Sequence, residues 1–454
     1  MRKRAIVLGL SVFAILITAC GAGDTSAGHI IYQTGSGLQA EWWSIQPDGA
    51  NEVRIEIPPS RYIVTPNPSL DFILFLNYEN SYVANSDGSN PQELSLPGGN
   101  QNWEWSPNGR EVLSFEWQSP TYLVDLVTVE VKEISSWDYG GNSFSPDGEW
   151  IAYHTDDGVA LMGPDRANAR LIAEKADIMG FTPDSCEVVY IEHEDESDVL
   201  YIDKVEASER RELARSEWIR GIDLVPNQRL ALVEVRGEAG GLAAIDLDSS
   251  QQLWVVDDLT ASNFDSAAVS PTGTSLLLID IDVDDAMLYA IDVGSGDTNV
   301  LHRIQGDMAY DISFSPNGSY ALVVSAYRIS AHVVDLRSST VMNLLIPDEI
   351  ARDQPLLSHF EWSSTSQDLL FTIWDQAENV QTAYLYRTAD ASVEKLGSGS
   401  FAVGVFSPDG SQIALNVMTA IEGQGPSSDI YLLDTARLEH SLFLEDASIV
   451  AWAR

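Results

Sequence analysis

The turn Ser145-Pro146-Asp147-Gly148 constrains this chain more than any other feature, because it recurs. It lies between two apolar runs, Phe144 before it and Trp150-Ile151-Ala152-Tyr153 after it. Proline fixes φ at the second position, aspartate bonds its own backbone, and glycine takes the φ > 0 position without steric cost. Well-formed copies begin at Ser106, Ser270, Ser315 and Ser407, and degraded copies at Asn67, Thr182, Val225 and Ser363. Adjacent spacings include 145 − 106 = 39, 315 − 270 = 45 and 407 − 363 = 44. A period near 40–45 residues with four short strands per repeat is the signature of propeller blades.

The repeat is read ten times. Second strands start near Ile30, Phe72, Val112, Ile151, Val188, Leu230, Leu276, Ala321, Leu369 and Ile413. The expected fold is therefore all-β, a β-propeller of about ten four-stranded blades. The first repeat lacks a first strand, and Ser448–Trp452 looks like a first strand left over at the other end. Pairing them would close one ring and remove an open sheet edge. Two smaller propellers are the alternative.

The first strands show period two. Trp103/Trp105, Met179/Phe181, Ile222/Leu224, Ile312/Phe314 and Phe360/Trp362 form a bulky face. Asn102/Glu104, Ile178/Gly180, Gly221/Asp223, Asp311/Ser313 and His359/Glu361 form a smaller or polar one, expected near the central channel.

Charge narrows the partners. The chain has 454 residues with 68 acidic and 25 basic side chains, a net charge of −43. That surface argues against nucleic acid and against attachment to anionic lipid through a basic patch. It suits solubility, or the attraction of cations and basic partners.

The N-terminus reads as a targeting segment. A basic start, Met1-Arg2-Lys3-Arg4, precedes an apolar stretch, and Ile17-Thr18-Ala19-Cys20 resembles a bacterial lipobox. That resemblance implies a signal peptide over 1–19, lipid on Cys20 (diacylglyceryl and a further acyl chain such as palmitate), a flexible tether over 20–28, and a propeller over 29–454. Two or more acyl chains suffice for stable membrane attachment. The expected location is the bacterial cell envelope, outside the cytoplasm.

The Ser-Pro-Asp-Gly turn followed by Ile-Ala-Tyr, with hairpins such as Tyr82-Val83-Ala84-Asn85-Ser86-Asp87-Gly88, resembles the TolB-type repeats, a branch of the WD-like propellers. The α/β domain that precedes the propeller in TolB has no room before residue 29. No Gly-x-Ser-x-Gly elbow marks a peptidase relative. The resemblance implies a fold and, for a propeller on its own, a non-catalytic platform that binds an envelope or extracellular protein or a small ligand. A lyase or glycoside-active enzyme at the channel mouth and a cation or small-ligand sensor are the alternatives.

Candidate side chains follow from these alternatives. Acidic clusters at Glu192, Glu194 and Asp195 and at Asp280, Asp282 and Asp284 fall in expected connections between second and third strands. The latter departs from the EF-hand pattern at its sixth and twelfth positions and reads as a solvated hairpin. Channel candidates are Glu104, Asp223, Asp311, His359 and Glu361. Trp42, Trp43 and Trp117 are candidates for sugar stacking or packing, and Cys186 for a buried thiol. The seven histidines are scattered, without His-Glu-x-x-His, and neither a metal nor a cofactor is called for.

Overall fold

The computed structural model describes residues 28–453, except 36–38, 59–62, 67–70, 77–80, 97–101, 116–118, 137–141, 156, 208, 237–240, 257–263, 283–284, 306–309, 326–329, 345–355 and 420–426. Cys20 and Trp117 lie outside the described residues, as does the turn at Asn67.

Forty described strands form ten four-stranded antiparallel sheets, set as blades in one ring. Blade 1 contains His29–Thr34, Glu41–Ile45 and Val53–Ile55, and its innermost strand is Ala447–Ala453 from the far end of the chain. Ile30 pairs with Trp452 and Ile31 with Ala451. The expected closure is thus observed, as one ring rather than two. Blades 2–10 follow in order, each starting at its inner strand. Those strands are Ile63–Pro66, Asn102–Trp105, Ser143–Phe144, Ala176–Phe181, Trp218–Leu224, Phe264–Val269, Tyr310–Phe314, Leu356–Trp362 and Phe401–Phe406.

Each junction between neighbouring blades holds its own apolar core. Between blades 1 and 2, Trp42 packs edge-on against Phe75 at 5.5 Å, beside Ile31, Ile55 and Ile73. Between blades 10 and 1, Ile30, Tyr32 and Trp452 pack with Ile430 and Leu432, so closure is cemented by burial as well as by the ladder. Trp42 therefore belongs to the core, and Trp43 donates its indole N–H to Thr34 Oγ1 at 3.3 Å.

The recurrent turn is built the same way in every described copy with a hydroxyl at its first position. Ser315 is fully buried, and its Oγ accepts the N–H of Tyr320 at 3.1 Å and donates to Asn317 Oδ1 at 3.1 Å. The degraded copies at Thr182 and Ser363 keep this geometry. Gly318 has φ +69°, and Ser185 and Ser366 hold the same left-handed conformation where glycine is missing, whereas in the Val225 turn the left-handed residue is Asn227, one position earlier. At Gly273 a Cβ would meet Pro226 O at 2.5 Å, so there glycine also permits the close approach of two turns.

The outer edges are blunted in two ways. In blades 3–7, 9 and 10 the ladder between third and fourth strands carries a register shift, as at Leu200/Tyr201 and Ile430/Tyr431. Blades 1, 2 and 8 instead end on short strands: Val53–Ile55, Gln92–Leu94 and Thr340–Asn343. Both devices discourage an outside strand from adding to the sheet.

Bulges correct the expected alternation of the inner strands. Trp103 and Trp105 share one junction core, as do Ile312 with Phe314 and Phe360 with Trp362. In blade 5 the register shifts between Ile178 and Gly180. Phe181 then packs toward blade 4, whereas Met179 packs toward blade 6. A shift at Gly221/Asp223 likewise separates Ile222 from Leu224. One extra residue inverts every side chain beyond it.

Candidate functional site

The polar face of the inner strands abuts the next blade. Glu104 Oε1 accepts the backbone N–H of Phe144 in blade 4 at 3.0 Å, and Glu361 Oε1 accepts that of Phe406 in blade 10 at 3.4 Å. Both glutamates stand two residues before their turn, so each spans one junction at the same height. Burial raises Glu104 to about 7 and Glu361 to about 8, and the hydrogen bond from the next blade only partly offsets it. Asp223 occupies the same position in blade 6. Solvent reaches it, yet the surrounding blades strip enough water to lift it to about 6, against a backbone hydrogen bond at Leu224. Asp311 is exposed. His359 is exposed with φ +51°, sits in the register shift between Ser358 and Glu361, and meets the Phe401 ring edge-on at 6.4 Å. The bulge takes His359 out of simple alternation with Glu361.

The acidic clusters differ from their expected settings. Glu192 belongs to the strand Glu187–His193, and only 194–197 connect to Asp198–Lys204. Glu192 pairs with Arg210, whose guanidinium lies 3.4 Å from the Tyr201 ring centroid. Glu194 pairs with Arg215 at 2.5 Å and accepts from Tyr201 at 3.4 Å. Asp195 is exposed in the connection. In blade 7, Asp280 and Asp282 lie within the strand Ser275–Asp282, and Asp280 is buried. The expected solvated hairpin is corrected there: the strand runs on, and Asp280 faces a junction. Asp282 is placed by its backbone alone, and Asp284 lies outside the described residues.

His193 organises a site that its sequence neighbours conceal. Its Nδ1 lies 2.8 Å from Asp198 Oδ1 and its Nε2 3.1 Å from Asp177 Oδ2. Asp198 is buried, and its second oxygen accepts the N–H of Ile219 in blade 6 at 2.8 Å. Burial pulls the imidazole pKa down, but the two carboxylates outweigh it and hold the pKa above its usual value. A crevice of about 340 Å³ opens here, lined by Glu174, Lys175, Glu192, His193, Glu194 and Arg210. Glu192 and Arg210 are committed to each other, and His193 and Glu194 to Asp198, Asp177 and Arg215 around the rim. Asp198 closes the same acidic run, but Asp177 lies outside it on the neighbouring inner strand, and strand register brings all three together.

Cys186 is exposed, contrary to the buried thiol expected. It follows Ser185, whose φ of +59° turns the chain outward, and Val188 takes the core position instead. Among the described residues, no three His, Cys, Asp or Glu side chains gather as metal ligands.

No protein-family model and no curated protein sequence matches the chain. Many solved structures share its fold. A eukaryotic initiation factor aligns with a TM-score of 0.56 at 10% identity, over 81% of this chain and 96% of that one. A dipeptidyl peptidase 4 from Porphyromonas gingivalis aligns at 0.49 and 13% identity, over 85% and 59%. A TolB-type protein from Agrobacterium tumefaciens aligns at 0.35 and 19% identity, over 52% and 93%. At these identities the likeness is one of fold.

Proposed function

We propose that the chain is a lipid-anchored propeller of a bacterial envelope that works as a non-catalytic binding platform. The observation that carries this reading is the position of Cys20. The lipobox-like Ile17-Thr18-Ala19-Cys20 ends nine residues before His29, which opens the first propeller strand beside the ring-closing ladder. A lipid at Cys20 would hold the blade 1 seam close to the bilayer, leaving the far side of the ring for a protein partner or small ligand.

The inner-strand acids favour a platform over an enzyme. Glu104 and Glu361 are engaged in tying blades together, and their separation by several blades gives no matched acid and base at one reacting bond. The large negative charge would favour a partner with a basic surface.

Cross-linking in intact expressing cells tests the proposal, with wild type compared to Cys20→Ser and links mapped by mass spectrometry. Wild type should fractionate with membranes, incorporate a fatty-acid label, and link to a defined protein through one face. A Cys20→Ser chain that keeps both membrane location and label would overturn the anchor. An anchored chain with no reproducible links would overturn the protein platform and turn attention to small ligands and to the inner-strand acids.

A further inference from the structure

We infer that His302 and His332 form a binding site for a late first-row divalent metal ion at the junction of blades 7 and 8. His302 lies on the outer strand Thr298–Gln305 of blade 7, and His332 on Ala331–Asp335 of blade 8. The ring centroids are 5.4 Å apart with 51° between the planes. Metal–nitrogen bonds of about 2.0–2.1 Å at tetrahedral or tetragonal angles place two imidazole centroids roughly 4.5–5.5 Å apart. The pair is thus spaced to share one ion with little movement.

His332 gives an independent reason. It is only 6% exposed, and neither ring nitrogen makes a hydrogen bond of normal geometry. Buried imidazoles are ordinarily satisfied. Asn343, its cross-strand partner, offers an amide beside the ring, and its carbonyl would serve as a weak third donor with water completing the shell.

The surroundings favour a cation. From residue 237 to residue 302 the chain carries 12 acidic side chains and no lysine or arginine. Such a sector raises the local cation concentration without supplying ligands. Imidazole ligation selects Cu²⁺, Ni²⁺ and Zn²⁺ over Mg²⁺ and Ca²⁺, and Cu²⁺ should bind tightest.

The test is titration of the purified protein with Cu²⁺, followed by electron paramagnetic resonance and calorimetry, with His302→Gln and His332→Gln beside wild type. Wild type should bind one ion with the nitrogen splitting of two imidazoles. Each substitution should weaken that site by at least about tenfold and remove one nitrogen from the spectrum. His302 is partly exposed, so His302→Gln carries the test if His332→Gln fails to fold. A spectrum of oxygen ligands only, or a two-nitrogen signal that survives His302→Gln, would overturn the site and leave Cu²⁺ as a loose counterion of the acidic surface.

Discussion

Glu361 in blade 9 accepts the backbone N–H of Phe406 in blade 10, beside the apolar core that fills this junction. Glu104 and Phe144 repeat the arrangement between blades 3 and 4. These carboxyls favour their protonated form, with pKa values of about 8 and 7 against a usual 4.5. In that window the native state binds more protons than the unfolded chain, so stability falls as pH rises from about 4.5 to 8. Glutamine keeps an acceptor for the N–H and carries no charge. Glu361→Gln and Glu104→Gln should therefore gain stability relative to wild type as pH rises, with Glu361→Gln gaining most at pH 8–9. Guanidinium midpoints at pH 5 and pH 9 check this, and a difference that does not grow with pH would refute it.

Ring closure makes a second prediction. Trp452 is 5% exposed and packs into the core between blades 10 and 1 while its strand pairs with Ile30. Trp452→Ala should cost about 3–5 kcal/mol, the range for a large aromatic removed from a packed core. Deleting Ala447–Ala453 should do more, because it removes the whole ladder to His29–Thr34 and bares that strand's edge. Thermal unfolding followed by near-ultraviolet circular dichroism measures both. A deletion that melts like wild type would mean the ring does not depend on its seam.

The fold was legible because its signals are local and repeated. A buried serine, an Asx side chain two residues on and a left-handed fourth residue define the turn, and each can be read from four letters. Closure was legible from the mismatch between Ile30 and Trp452 at the two ends. What escaped were single-residue events. Bulges at Gly180 and His359 invert faces that simple alternation assigns, and no composition signal marks them. The same limit hid the candidate site. The Glu192–Asp198 run reads as an acidic connection, but register gives Glu192 an arginine, and His193 two aspartates, one of them outside the run.

Arg166 supports a third prediction. Its Nε and Nη2 grip both oxygens of Glu111 in blade 3, at 2.9 and 2.5 Å, while Nη2 also donates to Gly148 O at 2.7 Å. A planar fork bridging one blade to the turn of the next is a geometry lysine cannot copy. A double-mutant cycle with Arg166→Ala and Glu111→Ala should give a coupling of about 1–3 kcal/mol. Arg166→Lys should recover less than half of the loss. Additive single mutants would show that the clamp is surface decoration.

His193 tests whether the blade 5 cluster works as a proton-dependent fastener. Its pKa is raised because Asp198 and Asp177 face its two nitrogens and outweigh the loss of water. A group raised on folding contributes stability that is fully present below its unfolded pKa of about 6.5 and is lost as pH rises through the folded value. Glu192 and Glu194, which also line the crevice, are paired with Arg210 and Arg215, and Lys175 is the remaining cation there. Deprotonation should therefore loosen the link from blade 5 through Asp198 to Ile219 of blade 6. His193→Gln should destabilise the protein clearly at pH 5.5 and far less at pH 9. Hydrogen exchange at the Ile219 amide should quicken in the variant at the lower pH. Equal destabilisation at both values would mean that His193 acts by packing, and that its charge does not hold the two blades together.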